Sequence, residues 1–302
     1  MIIEWSDDML NKNQIQKIEK WIFKNARPLE IAKWNLLFGK GTQNQLITEM
    51  LKYQNSDGGF GNGFEADILT PESAAIPSAE AIFTAQDFGL DLSADWTKRL
   101  LAWFENIASD TPSFWEQVPK SLEDYPHPFY WSYHPDIKFT PNPCAVAASA
   151  LILHGNPSQI KLGNRIAERC IDYILHNEDY MDHDTYCLQR IFIAVKDSLP
   201  DKIHTSMNKR IIETACTDES KWLSYFAQPL DLIDSPDSIW YPLLKAAIPA
   251  NLDYWEKNLN ADGYWIANFG WDNAPAGWSN NWLGYIAVKR VKILKAFGRI
   301  EE

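Results

Sequence analysis

The chain has 302 residues, 46% of them hydrophobic and 23% charged, proportions that suit a folded globular protein and argue against disorder. With 40 Asp and Glu against 28 Lys and Arg, its net charge of −12 opposes binding to a phosphate backbone, so no nucleic-acid partner is expected. No stretch reaches the roughly 18 consecutive apolar residues of a membrane helix, so no membrane insertion is expected. The opening residues lack a basic segment followed by an apolar one, and the four cysteines, Cys144, Cys170, Cys187 and Cys216, are widely spaced in apolar helical stretches. A cytoplasmic location with free, buried thiols follows as the expectation.

Taken in chain order, the hydrophobic pattern is helical throughout. Residues 13–25 place Ile15, Ile18 and Ile22 on one face, and 28–38 follow as a more apolar helix. Residues 42–54 are amphipathic and 72–89 more uniformly apolar. Residues 93–108 place Trp96, Leu100, Trp103, Phe104 and Ile107 along one stripe. Residues 142–154 carry almost no polar side chain, which is the pattern of a helix buried on every side. The alternation continues with 160–176 as an amphipathic helix, 184–198 as a buried one and 203–216 amphipathic. Residues 220–228 give a short buried helix, 239–258 an outer element broken by Pro242 and Pro249, and 278–298 a last inner helix.

Six outer–inner pairs predict an all-α (α/α)6 toroid in one domain, with an open α-solenoid as the rival. The alternation puts every outer-to-inner connection on one rim, including the long segments 55–71, 109–141 and 259–279. Long ordered loops are usually functional, so this rim is the expected site, over a deep aromatic-lined central cavity for a small-molecule or oligomeric substrate.

The first long loop opens with Gln54-Asn55-Ser56-Asp57-Gly58-Gly59-Phe60-Gly61. Glycines there provide backbone freedom, Asp57 can bond the turn, and Phe60 can plug into a core. A weaker echo, Asn260-Ala261-Asp262-Gly263-Tyr264-Trp265, points to a repeat. The run resembles the Gln-x-x-Asp-Gly-Gly-Phe-Gly repeat of the α/α-toroid superfamily of terpenoid cyclases and protein prenyltransferase β-subunits. The chain is more narrowly similar to bacterial members that carry Ala-Arg-Pro-Leu-Glu (Ala26 to Glu30), Tyr-Gln-Asn-x-Asp-Gly-Gly-Phe-Gly (Tyr53 to Gly61) and a Gly-Phe-Glu-x-Asp element (Gly63 to Asp67). The resemblance covers residues 26–90. It implies the toroid and an isoprenoid or lipid-like substrate.

The motifs of the characterised relatives are incomplete here. Of the cyclase Asp-x-Asp-Asp-Thr element only Asp184, before Thr185, has a counterpart. Asp184 and Cys187 stand one residue too far apart for the prenyltransferase zinc pair. No metal and no cofactor are therefore expected, and the chemistry falls to acid–base groups.

The catalytic candidates are Glu65, Asp67, His183 and Asp272. Two carboxylates at i, i+2 in a loop can hold different environments and so divide acid and base roles. Carboxylates in such loops also cap helices and satisfy turns, and Asp182 or Asp184 is suited to an N-cap. The substrate-binding candidates are Arg27, Phe60, Phe64, Tyr130, Trp131, Tyr133, His134, Asp184, Trp265, Trp271 and Trp278. Proline-stiffened aromatics offer large contact area at low entropic cost, whether as a binding wall or as a hydrophobic lid. Carboxylates beside tryptophans equally suit a sugar, so a carbohydrate-active (α/α)6 enzyme and a non-catalytic ligand- or peptide-binding toroid stand as alternatives.

Overall fold

The computed structural model describes residues 9–108, 114–136, 138–178 and 182–301. Parts of the expected rim, residues 109–113, 137 and 179–181, lie outside the described residues. The described chain is all-α: thirteen helices and only isolated β-bridges. None of the helices is long and apolar enough to cross a membrane.

The chain divides into two compact units, one of residues 1–42, 211–271 and 276–302, the other of residues 43–210 and 272–275. The first unit contains α1 (Lys12–Asn25), α2 (Pro28–Leu37), the short α10 (Pro229–Leu232) and α11 (Tyr241–Leu244), α12 (Ile248–Lys257) and α13 (Trp278–Ala296). The second contains α3 (Gln43–Leu51), α4 (Ala75–Asp87), α5 (Asp95–Asn106), α6 (Pro141–His154), α7 (Pro157–His176) and α8 (Asp182–Val195). Helix α9 (Asp201–Thr214) passes from the second to the first.

In the second unit the expected contrast between helices is present. In α6 every residue from Pro143 to Leu151 is buried, and α4 is buried along most of its length. Helices α5 and α7 each bury one stripe, Trp96, Leu100, Trp103 and Phe104 in the first and Leu162, Ile166, Cys170 and Ile174 in the second. Helix α6 packs on both α4 and α8, and α5 and α7 also pack together. Helix α8, expected to be buried all round, buries a stripe that includes Thr185, Leu188, Ile191 and Phe192 and leaves Ile193 exposed, because Gln189 and Arg190 interrupt its apolar surface. Caps set the boundaries: Asn156 accepts from the backbone of Ser158 and Gln159 to start α7, and Thr140 accepts from Asn142 N to start α6.

In the first unit α2 and α1 both pack on α13. The approach is close because Gly284 has no side chain, so that a methyl there would lie 2.6 Å from the Ala26 Cβ. Both prolines of the 239–258 segment stand in a first turn, Pro242 in α11 and Pro249 in α12, where a missing N–H costs nothing. The expected helix over 220–228 is absent. A single 3-10 turn, Glu219–Lys221, is followed by irregular chain, and α10 begins only at Pro229. Of the apolar residues in this stretch Trp222 and Ala227 are buried, while Leu223, Tyr225 and Phe226 face solvent, so no continuous buried stripe exists to stabilise a helix.

All four cysteines are free thiols; Cys144, Cys170 and Cys187 are buried and Cys216 is partly exposed. Burial pushes the Cys144 thiol up to about 12, and Cys170 and Cys187 well above the ordinary range, so none forms a thiolate at neutral pH. A thiol-disulfide reagent such as dithionitrobenzoate is expected to titrate one thiol per native chain, Cys216, and all four after denaturation. Rapid labelling of a second thiol in the native protein would contradict this burial.

Candidate functional site

The site begins with the glycine-rich turn of the second unit. Asn55 N donates to Gly59 O at 2.8 Å and Gly58 N to Asn55 O at 3.0 Å, closing the turn. Asp57 Oδ1 accepts from Gly59 N at 3.1 Å and from Ser73 Oγ at 2.7 Å. Gln54 Nε2 donates to both Gly58 O and Trp96 O at 2.9 Å, which pins the turn to α5. Across the loop, Asn62 N donates to Thr70 O at 2.8 Å and Ala74 N to Phe60 O at 2.9 Å. The 55–71 loop is thus held along its length, as a segment that must present a fixed carboxylate requires.

Asp67 lies at the end of this loop and is buried. Its Oδ2 accepts a 2.7 Å hydrogen bond from Tyr130 Oη, which belongs to the long aromatic loop. The next residues reinforce the junction: Ile68 packs with Ile76, Val118 and Leu122, and Trp131 covers that cluster. The two loops therefore share one hydrophobic seat, and the Asp67–Tyr130 pair sits beside it. The Trp131 indole N–H is buried there without a hydrogen-bond partner among the described residues. Glu65 is half-buried two residues before Asp67. Tyr125, Phe129 and Tyr130 expose their rings, Phe129 to 85%.

Among the described residues of this unit Asp184 is the other buried carboxylate. It stands in the first turn of α8, but its bonds cap a different helix. Oδ1 accepts from Thr140 Oγ1 at 2.7 Å and from Asn142 N at 3.2 Å, at the start of α6, and Oδ2 accepts from Tyr173 Oη at 2.6 Å. Its observed work is to tie α8 to the starts of α6 and to α7. His183, one residue earlier, is exposed, with its ring 5.8 Å from that of Tyr186. Asp272 is exposed in the short 272–275 piece of the same unit.

The remaining candidates are distributed as follows. Phe60 and Phe64 are buried, their rings 5.2 Å apart and Phe60 6.3 Å from Trp96, so packing is their observed role. Tyr133 is half-buried, its N–H donating to Glu123 Oε1 at 2.6 Å, and His134 is exposed. In the first unit Arg27 donates through Nε and Nη2 to the buried Glu30, at 2.9 and 2.7 Å. Trp265 is buried and donates from Nε1 to Trp255 O at 2.6 Å. Trp271 stacks edge-on against the buried Trp278 at 5.5 Å.

Among the described residues no three His, Cys, Asp or Glu side chains converge as metal ligands. The structure also brings forward residues for which the sequence suggested no polar role, Tyr173 and Thr140 around Asp184, and Gln228, Tyr254 and Arg290 in the first unit. Their partners lie far away in sequence, and no local motif marks them. Comparison of the chain with family models, with curated protein sequences and with solved structures finds no match.

Proposed function

We propose that the chain is an α/α-toroid enzyme of the terpenoid cyclase and prenyltransferase-like type, with an acid–base site at Glu65, Asp67 and Tyr130 acting on an isoprenoid or lipid-like substrate. The observation that carries the site is the bond from Tyr130 Oη to the buried Asp67. A carboxylate fixed by a phenol, inside an apolar seat, can hold or move a proton without a metal. Glu65, less buried, supplies a second carboxylate in a different environment.

The toroid reading rests on how the two glycine turns dock. Asn260 N donates to Tyr264 O at 3.1 Å and Gly263 N to Asn260 O at 3.1 Å, the same pattern as Asn55 and Gly58. Gly58, with φ +101°, lies against the backbone of Arg99 on α5; Gly263, with φ +94°, lies against that of Lys17 on α1. Phe60 meets Trp96 on α5, and Tyr264 meets Trp21 on α1 at 5.1 Å. On this reading each turn leans on the outer helix of the next pair, and for the last turn the next pair is the first. The packing of α2 on α13 is consistent with the same closure. An open solenoid gives its last turn no such neighbour.

A second reading, a carbohydrate-active enzyme, is favoured by one feature: the buried carboxylate meets Tyr130, whose exposed ring lies 5.4 Å from that of the exposed Phe129, and exposed flat rings suit stacking on sugar faces.

Asp67→Asn, Glu65→Gln and Tyr130→Phe test the site. Each is expected to keep the fold, with a loss of about 1 kcal/mol or less, while abolishing ligand binding or turnover. The readouts are thermal unfolding and a panel of polyprenyl alcohols and diphosphates against oligosaccharides. A response to one half of the panel assigns the substrate class. Losses of roughly 1–3 kcal/mol in Asp67→Asn and Tyr130→Phe, with ligand binding unchanged, would reduce the pair to a structural bond.

A further inference from the structure

The first unit contains a cation that its surroundings do not satisfy. Arg290 lies about three turns into α13. Its guanidinium carbon is 4.8 Å from the ring centre of Trp255 and 5.7 Å from that of Trp265. Both rings are fixed. Trp255 Nε1 donates to Gln228 Oε1 at 2.6 Å, and Trp265 Nε1 donates to Trp255 O at 2.6 Å. Gln228 is itself held by Asn251, whose Nδ2 donates to Gln228 Oε1 at 2.8 Å.

The nearest acid does not neutralise Arg290 by contact. Asp231 Oδ1 accepts from Lys289 Nζ at 2.8 Å and Oδ2 from Gln228 N at 3.0 Å, so both its oxygens are engaged. It acts on Arg290 only through space. Burial lowers the Arg290 pKa to about 10, partly offset by Asp231 and Tyr254, and the group remains a cation at neutral pH. Among the described residues its N–H donors have no hydrogen-bond acceptor, although the side chain is half-buried rather than sealed. Tyr254, coupled electrostatically to Arg290, likewise has no hydrogen-bond partner for its hydroxyl among the described residues. Its ring is set 5.0 Å from Trp222.

A stacked guanidinium held on a rigid indole platform keeps a planar fork of donors, the geometry that matches a carboxylate or phosphate. The fork is half-buried and meets no acceptor among the described residues, so an oxyanion arriving from solvent can supply one. We propose that Arg290 and Tyr254 form an oxyanion-binding site, for a small molecule that bears a carboxylate or phosphate group. The site is independent of the Asp67 reading, since all its residues belong to the other unit.

Isothermal titration of the full chain with inorganic phosphate and, separately, benzoate tests the proposal at ionic strength matched with sodium chloride. Saturable binding of at least one probe is expected, weakened about tenfold or more in Arg290→Met and in Arg290→Lys, which keeps the charge but loses the fork. Binding of phosphate alone identifies a phosphate-bearing ligand, and of benzoate alone a carboxylate-bearing one. Tyr254→Phe removes a hydroxyl without partners, so it retains the fold and is expected to weaken binding by about threefold. No saturable binding of either probe would overturn the site. So would affinity that is unchanged in Arg290→Lys and Tyr254→Phe, the two variants least able to disturb the fold.

Discussion

Replacing Arg299 with methionine is expected to destabilise the protein by about 3–5 kcal/mol, the range for breaking a buried ion pair from one side. Arg299 is 1% exposed and follows directly on the end of α13. Its Nε and Nη2 donate to the two oxygens of the buried Glu256 at 2.7 and 2.8 Å, and Nη2 also meets Asp253. Methionine fills much of the volume, but it takes from the buried Glu256 carboxylate the guanidinium that donates to both its oxygens. The backbone around Arg299 matters too: Leu10 N donates to Arg299 O at 3.0 Å and Glu301 N to Leu10 O at 2.8 Å, so loosening α12 from this residue loosens the pairing of both terminal segments. Urea denaturation measures the effect as a lower midpoint at unchanged slope. The double variant Arg299→Met with Glu256→Gln is expected to lose less than the sum of the two singles, because the unpaired charge is gone. A loss under about 1 kcal/mol in Arg299→Met would mean that water reaches Glu256 and solvates it.

The second large effect concerns the two glycine turns. Gly58→Ala and Gly263→Ala are each expected to cost about 2–4 kcal/mol, combining backbone strain with a clash. Their φ values, +101° and +94°, are ones that an alanine adopts only under strain. An added methyl would also come within 2.8 Å of the Arg99 carbonyl carbon in the first case and 2.6 Å of the Lys17 carbonyl in the second. Both neighbours are helix backbone and cannot rotate away as a side chain can. Gly39→Ala separates the two causes. Its φ is +65° and nothing lies within 4 Å of an added methyl, so only the conformational part remains, about 1 kcal/mol. Equal losses at Gly39 and Gly58 would remove the contact with α5 from the explanation. The comparison also bears on the toroid, because Gly263 is costlier than Gly39 only if its turn is seated on α1.

Much of this protein is readable from the order of its residues. The stripe of Trp96, Leu100, Trp103 and Phe104 marks the buried face of α5, and the unbroken apolar run after Pro143 marks α6 as a helix surrounded on all sides. Prolines announce the interruption between α11 and α12. The Asn-x-Asp-Gly pattern specifies a turn twice, because Asn and Asp side chains bond their own backbone and glycine tolerates the geometry. These are local effects, in which the cause and the consequence lie within one or two turns of chain. The error at 220–228 has the same origin: apolar residues there suggested a buried helix, but Leu223, Tyr225 and Phe226 meet solvent.

Partners of polar groups are decided at longer range. Asp67 and Tyr130 were both candidates by themselves, yet only the path of the chain joins them across 63 residues. Asp184 looked suited to capping its own helix, and the structure turns its carboxylate to α6 and α7 instead. Lys289 and Arg290 are neighbours in sequence on α13. Tertiary packing separates the two, giving Lys289 a carboxylate and Arg290 two indole faces. Hydrophobic periodicity determines which face of a helix is buried, since burial depends on the side chain and its angular position. It does not determine which polar atom meets which, since that depends on distances between elements that only the assembled chain brings within about 3 Å of each other.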